Sequence, residues 1–184
     1  MTLFVFATEL EQSGVFPNGV PAGYDCVITG VGIIATALTL SKKFSGNKEI
    51  DFAIQIGIAG AYSNSNLKIG EVVNVKSDLL LEFKPWEPNE FFASADLPFK
   101  NDLQPVKSAT VLHCTDTDEI GLQRGTEAQI ETMEGAAFFA TCREYGVPSV
   151  QIRAVSNIAA KYNKDDWCIE SALAALSELF KGNL

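Results

Sequence analysis

Apolar and polar positions alternate along the chain in blocks that predict strands and helices in turn. Apolar runs rich in strand-forming residues occupy positions 2–7, 24–32, 50–62, 70–83, 108–116, 128–133 and 147–157. Helical spacing follows the second, sixth and seventh of these runs, at 33–44, 134–146 and 165–182. Strands that alternate with helices predict an α/β fold with a mixed, mostly parallel central sheet flanked by helices.

The pattern leaves one long loop, residues 84–107, and loops of that length are usually functional or mobile. No internal repeat divides the chain. Its 184 residues are enough for one domain with a substantial core, so we expect a single domain over residues 1–184.

Composition narrows the range of partners. The formal net charge of −9 at pH 7 argues against a nucleic-acid partner, because phosphate backbones bind to basic surfaces. No apolar run approaches the roughly 18 residues of a membrane span, and the N-terminal stretch lacks the basic region of a signal peptide. The four cysteines are far apart and form no CxxC pair, which predicts reduced thiols in a cytoplasmic protein. We expect neither a metal nor a cofactor.

Acidic, small and amide residues follow the predicted strands at the points where the strands end. Glu9 and Glu11 follow the first strand, and the Met133–Glu134 pair closes the sixth. Three other strands end in TGVG at 29–32, GIAGAY at 57–62 and AVSN at 154–157. In sheets of this kind ligands collect at the carboxyl ends of strands, so we expect these residues on one rim.

Taken singly, each of these residues also has a structural explanation. Gly30 and Gly32 could form a tight turn, since TGVG lacks the spacing of a dinucleotide fingerprint and the lysine of a P-loop. Glu11 could cap a helix or face solvent, and Met133 could fill the core. Asn157 could cap a helix or a turn. The ordered combination is therefore more informative than any one residue.

That combination resembles the purine nucleosidase and nucleoside phosphorylase superfamily. In the stretch ETMEGAAFFATCREYGVPSVQIRAVSN (131–157), a Met-Glu pair opens a helix and a later strand ends in Ser-Asn, as in members of that superfamily. ATELE, TGVG and GIAGAY…KIGEVV match it in the same order. The sequence is most similar to the futalosine hydrolase branch, and methylthioadenosine/adenosylhomocysteine nucleosidase is the neighbouring branch. The resemblance implies a nucleoside phosphorylase-like fold, a purine nucleoside as small-molecule partner, and a homodimer.

The resemblance also implies a reaction, the hydrolysis of the N-glycosidic bond of futalosine in menaquinone biosynthesis. Glu134 would accept hydrogen bonds from the ribose hydroxyls and stabilise the positive charge that develops on the sugar, with Met133 packing against it. Glu11 would act as general base on the attacking water, with Glu9 as its rival. Backbone at the small residues would approach the sugar and the base, at Gly30 and Gly32 for the first and at Gly57, Ala59 and Gly60 for the second.

Asn157 departs from the aspartate that adenine-cleaving members of the superfamily carry. An amide has both a donor and an acceptor, so it can donate to the O6 of a 6-oxopurine and accept from N7–H. Hypoxanthine, the base of futalosine, fits that pattern, whereas adenine would set an amine against an amine. An amide cannot supply the proton for the leaving base, so a water or solvent relay must.

Several alternatives remain open from the sequence. A phosphorylase needs cationic side chains, and none of the three arginines at 124, 143 and 153 is expected near TGVG or ATELE, with Arg153 interpreted as a structural ion-pair partner. Another purine nucleosidase, a phosphorylase or a non-catalytic nucleoside-binding relative would share the same fold. The benzoate on the 5′ side of futalosine would need a cation and aromatic surfaces, for which the candidates are Lys84, Trp86, Phe91, Tyr62 and Lys68.

Overall fold

The computed structural model describes residues 1–46, 49–83, 87–160 and 163–184. The strands in these ranges are β1 (Thr2–Phe6), β2 (Asp25–Ile28), β3 (Phe52–Tyr62), β4 (Val72–Leu80), β5 (Glu90–Phe92), β6 (Gln104–Thr110), β7 (Ile130–Thr132) and β8 (Ser149–Ala159). The α-helices are α1 (Glu9–Val15), α2 (Ile33–Gly46), α3 (Asp118–Arg124), α4 (Gly135–Glu144) and α5 (Ile169–Lys181).

Five of the strands close into a ring in the order β3, β8, β4, β6 and β7, after which β7 pairs back with β3. β1 and β2 extend the sheet outward from β3, and β5 pairs with β4. β3 is parallel to β1 and β8, whereas β4 is antiparallel to β8 and β7 is antiparallel to β3. The sheet is therefore mixed and mostly parallel, and the prediction of an α/β fold is confirmed.

Helices cover both faces of this sheet. α2 and α4 pack against each other, and a core that includes Leu40 and Phe138 lies between them and one face. α5 packs on β8 and α1, with Leu176 and Phe180 in the core on the other face. β3 and β8 are buried along almost their whole length, as expected for central strands with both faces covered.

The sequence pattern was wrong about some boundaries. The predicted long loop 84–107 contains β5 and the beginning of β6, and the predicted strand 108–116 ends at Thr110. Three residues, as in β5, are too few to show a period. The short helices α1 and α3 were also missed, because each has only seven residues and depends on a threonine cap, Thr8 or Thr117. Lys84 and Trp86 lie outside the described residues.

Candidate active site

A cavity of about 330 Å³ opens where the carboxyl ends of β1, β3 and β8 meet the segment that joins β7 to α4. The predicted residues that line it are Glu11, Ala59, Gly60, Met133, Glu134 and Asn157. Gly30, Gly32 and Gly57 are not among the lining residues. Gly32 and Gly57 instead lie next to the side chains of Glu134 and Glu11, respectively. The structure therefore brings most of the predicted rim residues to one cavity.

Glu11 is held at the cavity by the first turn of α1. The Thr8 side chain accepts a hydrogen bond from the Glu11 backbone, and Glu11 Oε2 accepts from both the backbone N and the hydroxyl of Thr8, at 3.0 Å each. Oε1 accepts from the backbone N of Ile58 at 3.1 Å. Glu11 is thus a capping residue and a cavity-lining carboxylate at once. The rival acid, Glu9, is exposed to solvent and does not line the cavity.

Glu134 occupies the N-cap position of α4, but its side chain does not cap that helix. Its Oε1 instead accepts a hydrogen bond from the backbone N of Gly32 at 2.9 Å, across 102 positions of sequence. Gly32 has φ of +92° and Gly30 has φ of +84°, a left-handed conformation that glycine adopts without strain. Burial raises the pKa of Glu134, and the charge of Arg153 partly opposes that shift.

Arg153 is a fully buried guanidinium beside both carboxylates. Its Nη2 lies 3.9 Å from Glu134 Oε2. Its Nη1 and Glu11 Oε1 each lie 2.5 Å from the point where a Cβ on Gly57 would stand, so only a glycine leaves room for both. The expectation that no arginine lies near ATELE is therefore wrong, although the expected ion pair is present. Strand alternation could not have indicated this, because the register of β8 against β3 shifts between residues 153 and 157.

The other two arginines lie away from these carboxylates. Arg124 is in the last turn of α3, where it forms ion pairs with Glu82 and Glu131. The Arg143 guanidinium lies 5.1 Å from the ring centroid of Phe91. Neither side chain belongs to the group around Glu11.

Asn157 is directed into the cavity next to an irregularity in β8. The pairing of β3 with β8 shifts register between Ala59 and Gly60, so that Ser156 is the extra residue of a β-bulge. Bulges commonly redirect a side chain near a functional site. The Ser156 hydroxyl is 2.8 Å from Asn157 Oδ1, to which it donates, and 3.2 Å from the carbonyl of Ala59. Nδ2 of Asn157 makes no hydrogen bond to any residue that the structure describes.

Glu131 is a further buried carboxylate at the cavity that the sequence analysis did not single out. Its oxygens accept hydrogen bonds from the backbone N and hydroxyl of Thr115, from Tyr62 Oη and from Arg124 Nη1. Burial and the Glu131 charge raise the pKa of Tyr62. Because protein donors already surround both of its oxygens, Glu131 holds the segment around Thr115 rather than offering a free carboxylate.

Of the residues predicted for a 5′ substituent, the three that the structure describes do not line the cavity. Tyr62 is buried against Glu131, Phe91 lines a different cavity, and Lys68 is exposed without lining this one. Lys164 and Trp167 line it instead, in the segment between β8 and α5. A second cavity of about 270 Å³ adjoins the first, and Asn157 and Trp167 line both. The signal for Lys164 and Trp167 was their place just beyond the strand that ends at the rim.

The described residues contain neither a cluster of metal ligands nor a membrane-spanning helix. No group of three or more histidine, cysteine, aspartate or glutamate side chains in these ranges could hold a metal ion. None of the described helices has the length and apolar character needed to cross a bilayer.

Comparison with known proteins identifies the family. The model of the family described as Phosphorylase superfamily matches residues 91–182, half of the chain. The chain belongs to the Phosphorylase superfamily. The matched half contains Met133, Glu134, Arg153 and Asn157.

Several proteins resemble this member of the Phosphorylase superfamily. Futalosine hydrolase of Thermus thermophilus is 24% identical over 192 residues, which cover 84% of this chain and 78% of that protein. The structure of 5′-methylthioadenosine/S-adenosylhomocysteine nucleosidase from Helicobacter pylori with butyl-thio-DADMe-Immucillin-A has a TM-score of 0.83 and 16% identity, covering 98% of this chain and 96% of that chain. A futalosine hydrolase mutant of Helicobacter pylori has a TM-score of 0.82 and 16% identity, with the same coverage. These structural similarities show that the fold is that of such nucleosidases.

Proposed function

We propose that the protein hydrolyses the N-glycosidic bond of futalosine, releasing hypoxanthine and dehypoxanthine futalosine in menaquinone biosynthesis. The observation that carries the proposal is the grouping of Glu11, Glu134 and Asn157 around one cavity, with the buried Arg153 beside the two carboxylates. The similarity to a curated futalosine hydrolase over most of both chains supports futalosine as the substrate.

Glu134 provides the negative charge that stabilises the ribose during cleavage. Lengthening of the bond to the base leaves positive charge on the ribose, and a carboxylate fixed nearby stabilises that charge more than it stabilises the ground state. The Gly32 amide fixes Oε1, and Oε2 lies on the Arg153 side. The remaining lone pairs of Glu134 accept hydrogen bonds from ribose hydroxyls, and the Met133 side chain packs against the ring.

Glu11 and Arg153 together favour water as the nucleophile. Glu11 accepts the proton of the attacking water, while the buried guanidinium lies beside the Glu11 and Glu134 carboxylates and stabilises their charge. Two carboxylates, Glu11 and Glu134, stand beside one guanidinium, so the charge around the nucleophile is formally negative. A phosphate dianion is repelled there, whereas a water molecule is not. Arg153 is nevertheless the one observation that favours phosphorolysis as a second candidate.

Asn157 recognises the base. With Oδ1 accepting from Ser156, the Nδ2 donor faces the cavity and suits the O6 acceptor of a 6-oxopurine. The second lone pair of Oδ1 is available to N7–H. Adenine would present an amine to Nδ2, which is the physical reason for preferring hypoxanthine over the adenine of methylthioadenosine. Structural similarity to methylthioadenosine/adenosylhomocysteine nucleosidases keeps that activity as the alternative.

The test is chromatographic detection of free base from futalosine, methylthioadenosine and inosine, each with and without phosphate. We expect hypoxanthine from futalosine at a rate independent of phosphate. The matched variant Glu11→Gln should lower kcat by about 10²–10⁴-fold, the usual contribution of a general base, while substrate still binds. Adenine from methylthioadenosine alone, or release that requires phosphate, would assign the protein to the corresponding alternative. Binding of nucleosides without turnover would make it a non-catalytic relative.

We further propose that the protein is a cytoplasmic homodimer. Val31, Ile34 and Leu38 expose 55%, 72% and 68% of their surface, and the last two lie one turn apart on α2. Contiguous exposed apolar side chains of this kind mark association surfaces. Val31 also lines the cavity, so a partner on this stripe would adjoin the site. The four cysteines are free, which suits a reducing compartment.

A further inference from the structure

A buried polar cluster lies beneath the candidate active site, and its centre is Asp78 on β4. Asp78 and Gln151 are both fully buried. Thr110 donates to Asp78 Oδ1 at 2.6 Å, and Gln151 Nε2 lies 3.4 Å from Asp78 Oδ2. Burial raises the pKa of Asp78, whereas the hydrogen bond from Thr110 and the charge of Arg153 lower it. Burying a carboxyl group costs free energy unless its neighbours form hydrogen bonds with it. The Asp78 carboxyl group therefore restricts the orientations of the side chains around it.

The first connection runs from Asp78 to Arg153 through an amide. Gln151 Oε1 accepts from Arg153 Nε at 2.9 Å, while the other end of the same amide faces Asp78. Arg153 Nη1 has a longer contact of 3.4 Å with the carbonyl of Ile58. Nη2 has no hydrogen-bond partner in the described ranges and points toward Glu134. The shortest hydrogen bond that fixes the plane of the guanidinium is therefore the one that Arg153 Nε donates to Gln151.

The second connection runs from Asp78 to the first turn of α4. The Thr110 hydroxyl that donates to Asp78 accepts from the backbone N of Ala136 at 2.8 Å. A Cβ on Gly135 would collide with the Asp78 carboxylate and the Gln151 amide, so the helix begins directly above the pair. The positive end of the helix dipole also favours a carboxylate in this place. That first turn follows Glu134.

We propose that Asp78 and Gln151 are positioning residues that orient Arg153 and the first turn of α4, and through them set the geometry of Glu134 and the nucleophile. Neither residue lines the cavity, so both act through other residues and not by contact with a ligand. The kinetic part of this inference rests on the proposed function, because it requires that Arg153 and Glu134 act in turnover. The geometric part does not depend on the substrate.

A matched pair of substitutions isolates this role. Gln151→Met removes the amide at nearly constant volume. Gln55→Met is the control, because Gln55 pairs with Gln151 in the strand register, is equally buried, and has no hydrogen-bond partner for either amide atom among the described residues. Loss of fit or of buried polarity affects both variants, whereas loss of the connection to Arg153 affects only the first.

The first readout is the side-chain Nε–H resonance of Arg153, assigned by its disappearance in Arg153→Lys. We expect Gln151→Met to shift or broaden this signal and Asp78→Asn to shift it less. Gln55→Met should leave it in place. This measurement needs no substrate, so it tests the connection even if futalosine is not hydrolysed. An unmoved signal in Gln151→Met, or an equal change in Gln55→Met, would overturn the proposal.

The second readout is turnover of whichever nucleoside the unmodified protein cleaves. Misplacement of a reacting group by about 1 Å can cost about 100-fold, so Gln151→Met should lower kcat by up to that factor with little change in KM. Gln55→Met should retain both constants. In an Arg153→Met background, Gln151→Met should cause no further loss, since its effect passes through the guanidinium. Losses that multiply in the double variant would show that Gln151 does not act through Arg153.

Discussion

The polar side chains of Asn157 and Glu134 line the same cavity, but a substitution at each would change a different property. At Asn157 the property is the pattern of hydrogen-bond donors and acceptors. At Glu134 it is the cost of keeping a charge away from water, since only 5% of this residue is exposed. The two effects are measured separately, one by substrate preference and the other by stability.

Replacing Asn157 with aspartate should shift preference from 6-oxo toward 6-amino purines. The carboxylate lacks the Nδ2 donor that suits O6, and it gains an acceptor for an exocyclic amine. Ser156 still donates to the retained oxygen, so the side chain keeps its place. The measurement is the ratio of kcat/KM for futalosine to that for an adenine nucleoside. A ratio that does not change would remove Asn157 from base recognition.

Replacing Glu134 with glutamine should stabilise the protein increasingly as the pH rises. Burial raises the pKa of Glu134, so the folded protein binds this proton more tightly than the unfolded chain does. Wild-type stability therefore falls as the pH rises from the unfolded to the folded pKa, and the cost persists above it. Glutamine carries no such cost. Urea denaturation at a series of pH values gives the difference in unfolding free energy between the two proteins.

The control for this comparison is Glu9→Gln, because Glu9 is an exposed acid of the same type. Its substitution removes an acid side chain at the surface, so it controls for the loss of a negative charge without burial. A difference for Glu134→Gln that falls with rising pH would contradict the assigned sign.

Among the secondary-structure elements, β3 is the one in which the site restricts the choice of residue most directly. Gly57 lies within it, and a Cβ there would collide with the ends of Glu11 and Arg153. Gly57→Ala should lower kcat by up to about 100-fold through displacement of these two groups. The unfolding free energy should change little, since both side-chain ends can move and φ is not left-handed. Steady-state kinetics and thermal unfolding on the same samples provide the check.

Gly46→Ala, at the end of α2, is the matched control, because its Cβ would meet no atom within 4 Å of the described structure. It should retain wild-type kcat. Equal losses in both variants would mean that the effect at Gly57 comes from the loss of a flexible residue and not from crowding.

The elements differ in how far the sequence could predict them. β3 and β8 are long and buried, so their apolar runs were clear, and of the residues expected at one rim from their ends Ala59, Gly60 and Asn157 line the cavity whereas Gly57 does not. α1 was missed because its segment reads as polar, and only the cap formed by Thr8 and Glu11 makes it a helix. The interpretation of Glu11 as a capping residue and its interpretation as a site residue are both compatible with the structure.

Contacts between distant segments were beyond the sequence pattern. No local period indicates that the amide of Gly32 binds Glu134, or that Arg153 lies beside Glu11. Such contacts follow from closure of the ring, which depends on the three-residue strand β7 pairing with β3 at Gly60 and Ala61. The apolar run at 128–133 predicted this strand, but three residues carry no signal for which strands they pair with, so the ring could not be predicted.

For the molecule as a whole, the position of the cavity opening has a consequence for assembly. The cavity opens beside the loop after β2, and the exposed apolar stripe of Val31, Ile34 and Leu38 starts at that opening. A second copy on this stripe would bury apolar surface and shield the cavity from water. The proposed homodimer therefore predicts that assembly and activity are linked at one surface.

Ile34→Glu should shift the protein from dimer to monomer and lower specific activity. A charge in the middle of an apolar interface loses its hydration without gaining a partner, which disfavours association. Leu122→Glu is the control, because Leu122 is 53% exposed on α3, outside the stripe. Sedimentation velocity gives the oligomeric state, and assays over a range of protein concentrations give its link to turnover. If Ile34→Glu and Leu122→Glu sediment alike, and as the unmodified protein does, the stripe is not the interface, and assembly is not linked to activity at this surface.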